Sequence, residues 1–141
     1  MLRRRLILSL PLLLLAARPA LAAEGGATKQ VGQYVDLQPT GLPVIVGGQL
    51  VNYVFVNVRV NLVANADVSR WRAKEPFFRD ALVRLGHASP FNRPGVDDQL
   101  DAGRLAAALM REAVAITGPG VIASVVVTSQ TPSHRGRRQP A

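Results

Sequence analysis

The chain contains no cysteine. A disulfide staple, a thiol nucleophile and a thiolate metal site are therefore excluded, and stability has to come from packing. Histidine is nearly as scarce, with only His87 and His134. Nucleophilic catalysis needs a base held beside its hydroxyl or thiol. His87 falls at the end of an expected helix, where an imidazole meets free carbonyls and the negative end of the dipole, while His134 lies in a polar stretch with nothing to hold it in a reactive geometry. Also missing is an apolar run of the roughly 20 residues that cross a bilayer as a helix. The apolar stretch at residues 6–17 is shorter and is closed by Arg18-Pro19.

The formal charge of +8 invites a nucleic-acid reading that the distribution of charge removes. Arg3, Arg4, Arg5 and Arg18 lie before the expected domain, and Arg135, Arg137 and Arg138 lie after it. Without those seven, ten basic residues face nine acids. No basic groove for phosphates is expected, and nucleic acid is not an expected partner. The three arginines of the last stretch imply only a weak contact with a membrane surface.

Residues 1–22 combine an arginine-rich start, an apolar stretch and Ala20-Leu21-Ala22 as a small-x-small cleavage site, the pattern of a secretory signal peptide. Arg3-Arg4 also loosely fits a twin-arginine signal, and an uncleaved anchor is the alternative. The expected location is the periplasm, with a tether to the inner membrane if the segment is retained. Residues 23–33 read as a linker, residues 34–131 as one α+β domain, and residues 132–141 as a disordered basic tail.

Strand signals dominate the first half of that domain. In the stretch at residues 50–63, Asn52, Val54, Val56, Val58, Val60 and Leu62 fall on one face, because side chains alternate across a strand. The other face changes from apolar at Val51, Tyr53 and Phe55 to polar at Asn57, Arg59 and Asn61. The expectation is a strand covered on both faces at its start and wet on one face at its end. Tyr34 begins a short first strand ended by Pro39 and Gly41. Residues 43–46 form a second strand, joined to the long one by a Gly47-Gly48 hairpin.

Helical spacing appears next at residues 68–86, with Val68, Trp71, Phe78, Ala81, Leu82 and Leu85 on one side. Pro76 implies a kink or a second helix with the proline in its first turn, and Gly86 is the expected stop. Residues 87–96 read as a loop. Asp97, Asp98 or Asp101 is expected to cap a helix that runs to about Thr117 and ends at Gly118-Pro119-Gly120. Residues 121–128 form a last strand, whose nearly continuous apolar run predicts a central, two-sided place. The resulting fold is a small, mostly antiparallel sheet with two or three helices on one face.

Little in this pattern carries chemistry. The three aspartates lack the alternating ligands, central glycine and distal glutamate of a calcium loop, so no metal or cofactor is expected. Glu75 and Asp80 do not share a helix face, whereas Asp80 and Arg84 form an ordinary i,i+4 pair. Trp71, Phe77 and Phe78 are either core or an interaction patch, with Phe77 and Phe78 pointing in different directions after Pro76.

Tyr34-Val35-Asp36-Leu37 with Pro39, the long strand, Arg79-Asp80-Ala81-Leu82, Gly103-Arg104-Leu105, Arg111-Glu112-Ala113 and a last strand ending near Gln130 together resemble the periplasmic domain of the flagellar basal-body-associated FliL family. The resemblance implies a stomatin/prohibitin-like fold, assembly into homo-oligomers and association with the stator of the flagellar motor. It departs from the family in its short, cleavable-looking leader and its short linker. The expected function is a non-enzymatic envelope protein acting by self-association and contact with an inner-membrane partner, with Trp71, Phe77, Phe78 and Arg79 as candidate contact residues. The alternative is a soluble periplasmic adaptor or ligand-binding module unrelated to motility, with a pocket between helices and sheet lined by Tyr53, Phe55 and Trp71.

Overall fold

The computed structural model describes residues 33–134. The expected signal, nearly all of the expected linker, and Arg135 onward lie outside the described residues. The elements are β1 (Tyr34–Asp36), β2 (Thr40–Val46), β3 (Gln49–Leu62), α1 (Val68–Ala73), α2 (Glu75–Ala88), β4 (Asn92–Arg93), β5 (Val96–Leu100), α3 (Ala102–Thr117) and β6 (Ile122–Pro132). The fold is α+β, with every strand pairing antiparallel.

β3 is the axis of the sheet. β2 and then β1 run end to end along one of its edges, and β6 lies along the other. β1 ends ahead of Pro39, as expected, with Leu37 N–H donating a last bond to Val58 O at 2.9 Å, whereas Gly41 falls inside β2, which begins at Thr40 rather than at residue 43. Gly47 and Gly48 hold φ values of 58° and 78°, the left-handed conformation that the β2–β3 turn requires.

One face of the sheet is sealed. Val54, Val56, Val58, Val60 and Leu62 are buried against Phe78, Ala81 and Leu82 of α2 and Leu105, Ala108, Leu109 and Ala113 of α3. Asp67 caps α1 by accepting from Arg70 N–H at 3.1 Å. Pro76 sits in the first turn of a separate α2, where its missing N–H costs no helical bond.

Other expectations are corrected here. Gly86 does not stop α2, which continues to Ala88. A Cβ at Gly86 would come within 2.6 Å of Leu42 Cδ2, so this glycine serves the close approach of α2 to β2. The expected loop after His87 contains the β4–β5 hairpin, turning at Gly95 with φ of 73°. As expected of one of the three aspartates, Asp101 caps α3, accepting from Arg104 N–H at 3.1 Å, while Asp97 and Asp98 lie on β5.

A further correction concerns β6, which is an edge strand rather than a central one. Val125 and Val127 sit opposite Val60 and Val58 on the core side, whereas Val126 is exposed on the other. A run of β-branched residues reports a preference for the pleated backbone and does not count its neighbours. The ordered chain also continues past β6. Ser133 N–H donates to Tyr53 O at 2.7 Å, and His134 is held by Asn52, so the expected disorder does not begin at Pro132.

Candidate functional site

Among the described residues, the helices cover one face of the sheet and leave the other open. The open face is built from the odd-numbered side chains of β3 and their partners on β1, β2 and β6. Its two ends differ in chemistry.

At the β1 end the polar groups satisfy one another. Arg59 Nε and Nη2 donate to the two carboxylate oxygens of Asp36 at 2.7 and 2.9 Å, and the guanidinium lies 3.8 Å from the centre of the Tyr34 ring. The hydrogen bond to Asp36 is the main reason the Arg59 pKa is raised. Asn61 Nδ2 donates to Ser124 Oγ at 2.9 Å, and Asn57 Nδ2 to Ser129 Oγ at 2.6 Å, both across the β3–β6 pair.

At the hairpin end the side chains are apolar and lack such a cover. Val51, Tyr53 and Phe55 are 44%, 42% and 45% exposed, and Val46 and Leu50 beside the turn are 52% exposed. The expected covering of this end on both faces is therefore corrected: helices pack on one face only. Phe55 packs against Gly41 of β2, since a Cβ there would stand 3.1 Å from its ring. No charged residue occurs between Asp36 and Arg59.

Beneath the hairpin end runs a set of carboxamide bonds that periodicity alone does not reveal. Asn52 Nδ2 donates to Asp97 O at 3.0 Å and to His134 O at 2.7 Å, while Asn52 Oδ1 accepts from Tyr53 and His134 N–H. Asn92 exchanges hydrogen bonds with both backbone groups of Ile45. Gln130 does the same with Leu100, at 2.8 and 3.1 Å. Each amide presents a donor and an acceptor as a peptide group does, and together they fasten the β4–β5 hairpin and the residues after β6 to the sheet. One signal was available: Asn52 is the sole polar side chain in the buried register of β3.

The candidate contact residues do not form one surface. Trp71 and Phe78 are buried in the core, Phe77 is exposed under Lys74 at 4.9 Å, and Arg79 donates to Gln38 Oε1 at 3.0 Å. The pocket imagined between Tyr53, Phe55 and Trp71 has no geometry, because Trp71 belongs to the sealed face and the other two to the open one. A depression of about 430 Å³ does lie between β1 and the helices, lined by Tyr34, Asp36, Gln38, Arg72 and Glu75. Glu75 there accepts from Gln38 N–H at 3.1 Å, and Arg72 Nε donates to Tyr34 O at 3.3 Å. These groups are committed to each other.

His87 Nδ1 lies 2.8 Å from Val83 O in the last turn of α2. Among the described residues no group of three or more His, Asp or Glu side chains is placed to hold a metal ion, and no helix is long and apolar enough to cross a membrane.

Comparison with protein-family models, curated proteins and solved structures finds no match for this chain. The FliL resemblance rests on the order and spacing of its short residue motifs.

Proposed function

We propose that the protein is a non-enzymatic component of the cell envelope that works by association: copies pair through β6, and the assembly engages an inner-membrane protein. The resemblance to FliL names the flagellar stator as that partner. The observation that carries the reading is the β6 edge, 11 residues long and paired on one side only among the described residues. It has no charged side chain, although charge is the usual device that keeps a strand edge from pairing with another chain. Its remaining protection is Pro132 and the register shifts opposite Asn57/Val58 and Asn61/Leu62. Residues 124–127 between those shifts offer regular backbone groups to a second copy about a two-fold axis.

Sedimentation of the exported protein over a range of concentrations tests the pairing, with Val126→Glu as the variant. Val126 lies opposite Arg59, so a glutamate there meets an opposite charge within its own sheet. At a two-fold edge the same change brings two acids together. The expected result is a self-associating parent and a monomeric variant of equal melting temperature. A parent that stays monomeric throughout contradicts the pairing. If copies pair but deletion in a flagellated host leaves motility intact, the stator is the wrong partner, and the adaptor unrelated to motility replaces it.

A further inference from the structure

We infer that the assembly closes at two copies, because side chains plug the strand edges other than β6 and leave β6 only another β6 to meet. The inference rests on the β6 pairing proposed above and adds what stops it. An edge that meets a different edge on the next copy makes a head-to-tail contact, which repeats into a ring or an open filament. An edge that meets only itself closes about a two-fold axis. The edges other than β6 therefore decide the outcome.

Along β1 and β2, the Tyr34 carbonyl accepts from Arg72 Nε at 3.3 Å, Gln38 N–H donates to Glu75 Oε1 at 3.1 Å, and Gln38 O accepts from Thr40 Oγ1 at 2.9 Å. Pro43 has no N–H to offer, and both backbone groups of Ile45 are taken by Asn92. The small hairpin is closed in the same way. Gln130 holds Leu100 N–H at 2.8 Å and Leu100 O at 3.1 Å, and Asn52 Nδ2 holds Asp97 O at 3.0 Å. β4 is two residues long, carries Arg93 and runs into Pro94, three features that discourage pairing. Carboxamides suit this work, because each brings the donor and the acceptor that the peptide group of an incoming strand would bring. A strand arriving at any of these edges has to displace bonds already made, and the exchange gains it little.

β6 differs. Among the described residues no side chain from another element bonds to a backbone group of residues 122–132, and β3 occupies only one side of the strand. Asn52, Asn92 and Gln130 thus do more than fasten the β4–β5 hairpin: with Arg72 and Glu75 they select the partner.

The test reads size and edges together. Sedimentation equilibrium of the exported protein at rising concentration is expected to reach twice the chain mass and go no higher. In the Val126→Glu variant, amide exchange followed by NMR is expected to be at least about tenfold slower at Gln38 and Ile45, whose N–H groups are bonded to side chains, than at the outward N–H groups of residues 124–127. In the paired parent those of residues 124–127 are expected to slow in turn. Species larger than two copies, or exchange at Gln38 and Ile45 as fast as on β6, overturns the inference and leaves the β6 pairing standing. A parent that stays monomeric while Gln38 and Ile45 exchange slowly fails the pairing itself, and the two-copy assembly with it.

Discussion

The two ends of the sheet's open face are made from the same central strand, yet they meet water in opposite ways. Around Arg59 the exposed side chains are bonded in pairs to Asp36, Ser124 and Ser129, so that the end nearest β1 is closed by its own chemistry. Around Tyr53 the side chains are apolar and exposed, and the polar bonds of that end lie underneath, in the carboxamide set centred on Asn52. A surface that satisfies its own groups gains little from a partner. A surface of bare apolar groups gains from any partner that removes it from water.

The sharpest way to separate the two faces of β3 uses neighbours. Val56→Asp places a charge in the sealed core and is expected to cost more than about 4 kcal/mol, enough to abolish folding in a small domain. Phe55→Ser, one residue away on the open face, is expected to cost only about 1–2 kcal/mol, because its ring is half exposed. Thermal melts of the two distinguish them, and equal losses would mean that the hairpin end is part of the core.

Asn52→Ala probes the bonds beneath the hairpin end. It leaves backbone groups of Asp97 and His134 without partners and is expected to cost about 1–3 kcal/mol. Amide exchange is expected to quicken at Ser133 and in β5 while staying slow near Asp36 and Arg59. Exchange that quickens at both ends would break the comparison. Within the helices, Phe78→Ala is expected to cost about 3–5 kcal/mol, because Phe78 is fully buried. Phe77→Ala is expected to be near neutral in the same melts.

The smallest effect is expected at Arg59. Its pKa is raised in the folded state, so its contribution is fully present below the unfolded value and is lost only as pH rises through the folded one. That window lies in strong alkali. Arg59→Gln is therefore expected to shift the melting temperature by a nearly constant, small amount across neutral pH, and less at high salt. A change of that shift near neutrality would point to another titrating group on the polar end.

The fold was largely legible because periodicity is local. The alternation in β3, the double glycine of the hairpin and Pro76 all act within a few residues of themselves. What failed was anything set by packing across the sheet. The run at residues 121–128 declares a strand, but whether it has one neighbour or two depends on where the helices lie. Gly86 looks like a helix stop until Leu42 is seen against it. The β4–β5 hairpin is held by Asn92 and Gln130, amides reaching backbone 47 and 30 residues away, respectively. Tyr53 and Phe55 declare themselves apolar, yet their exposure stems from the absence of a second layer among the described elements.

A two-fold axis through paired β6 strands and normal to the sheet would leave both open faces on one side, so pairing would join them into one continuous surface. The contrast between the ends is tested most directly by a fluorescent reporter at each. Phe55→Trp and Asn61→Trp place an indole at the hairpin end and at the polar end, over the constant signal of buried Trp71. With anilinonaphthalene sulfonate, a dye that lights up on exposed apolar surface, the account predicts a blue shift and energy transfer to the dye at position 55 and neither at position 61. An equal response at both positions, or none at either, would contradict it.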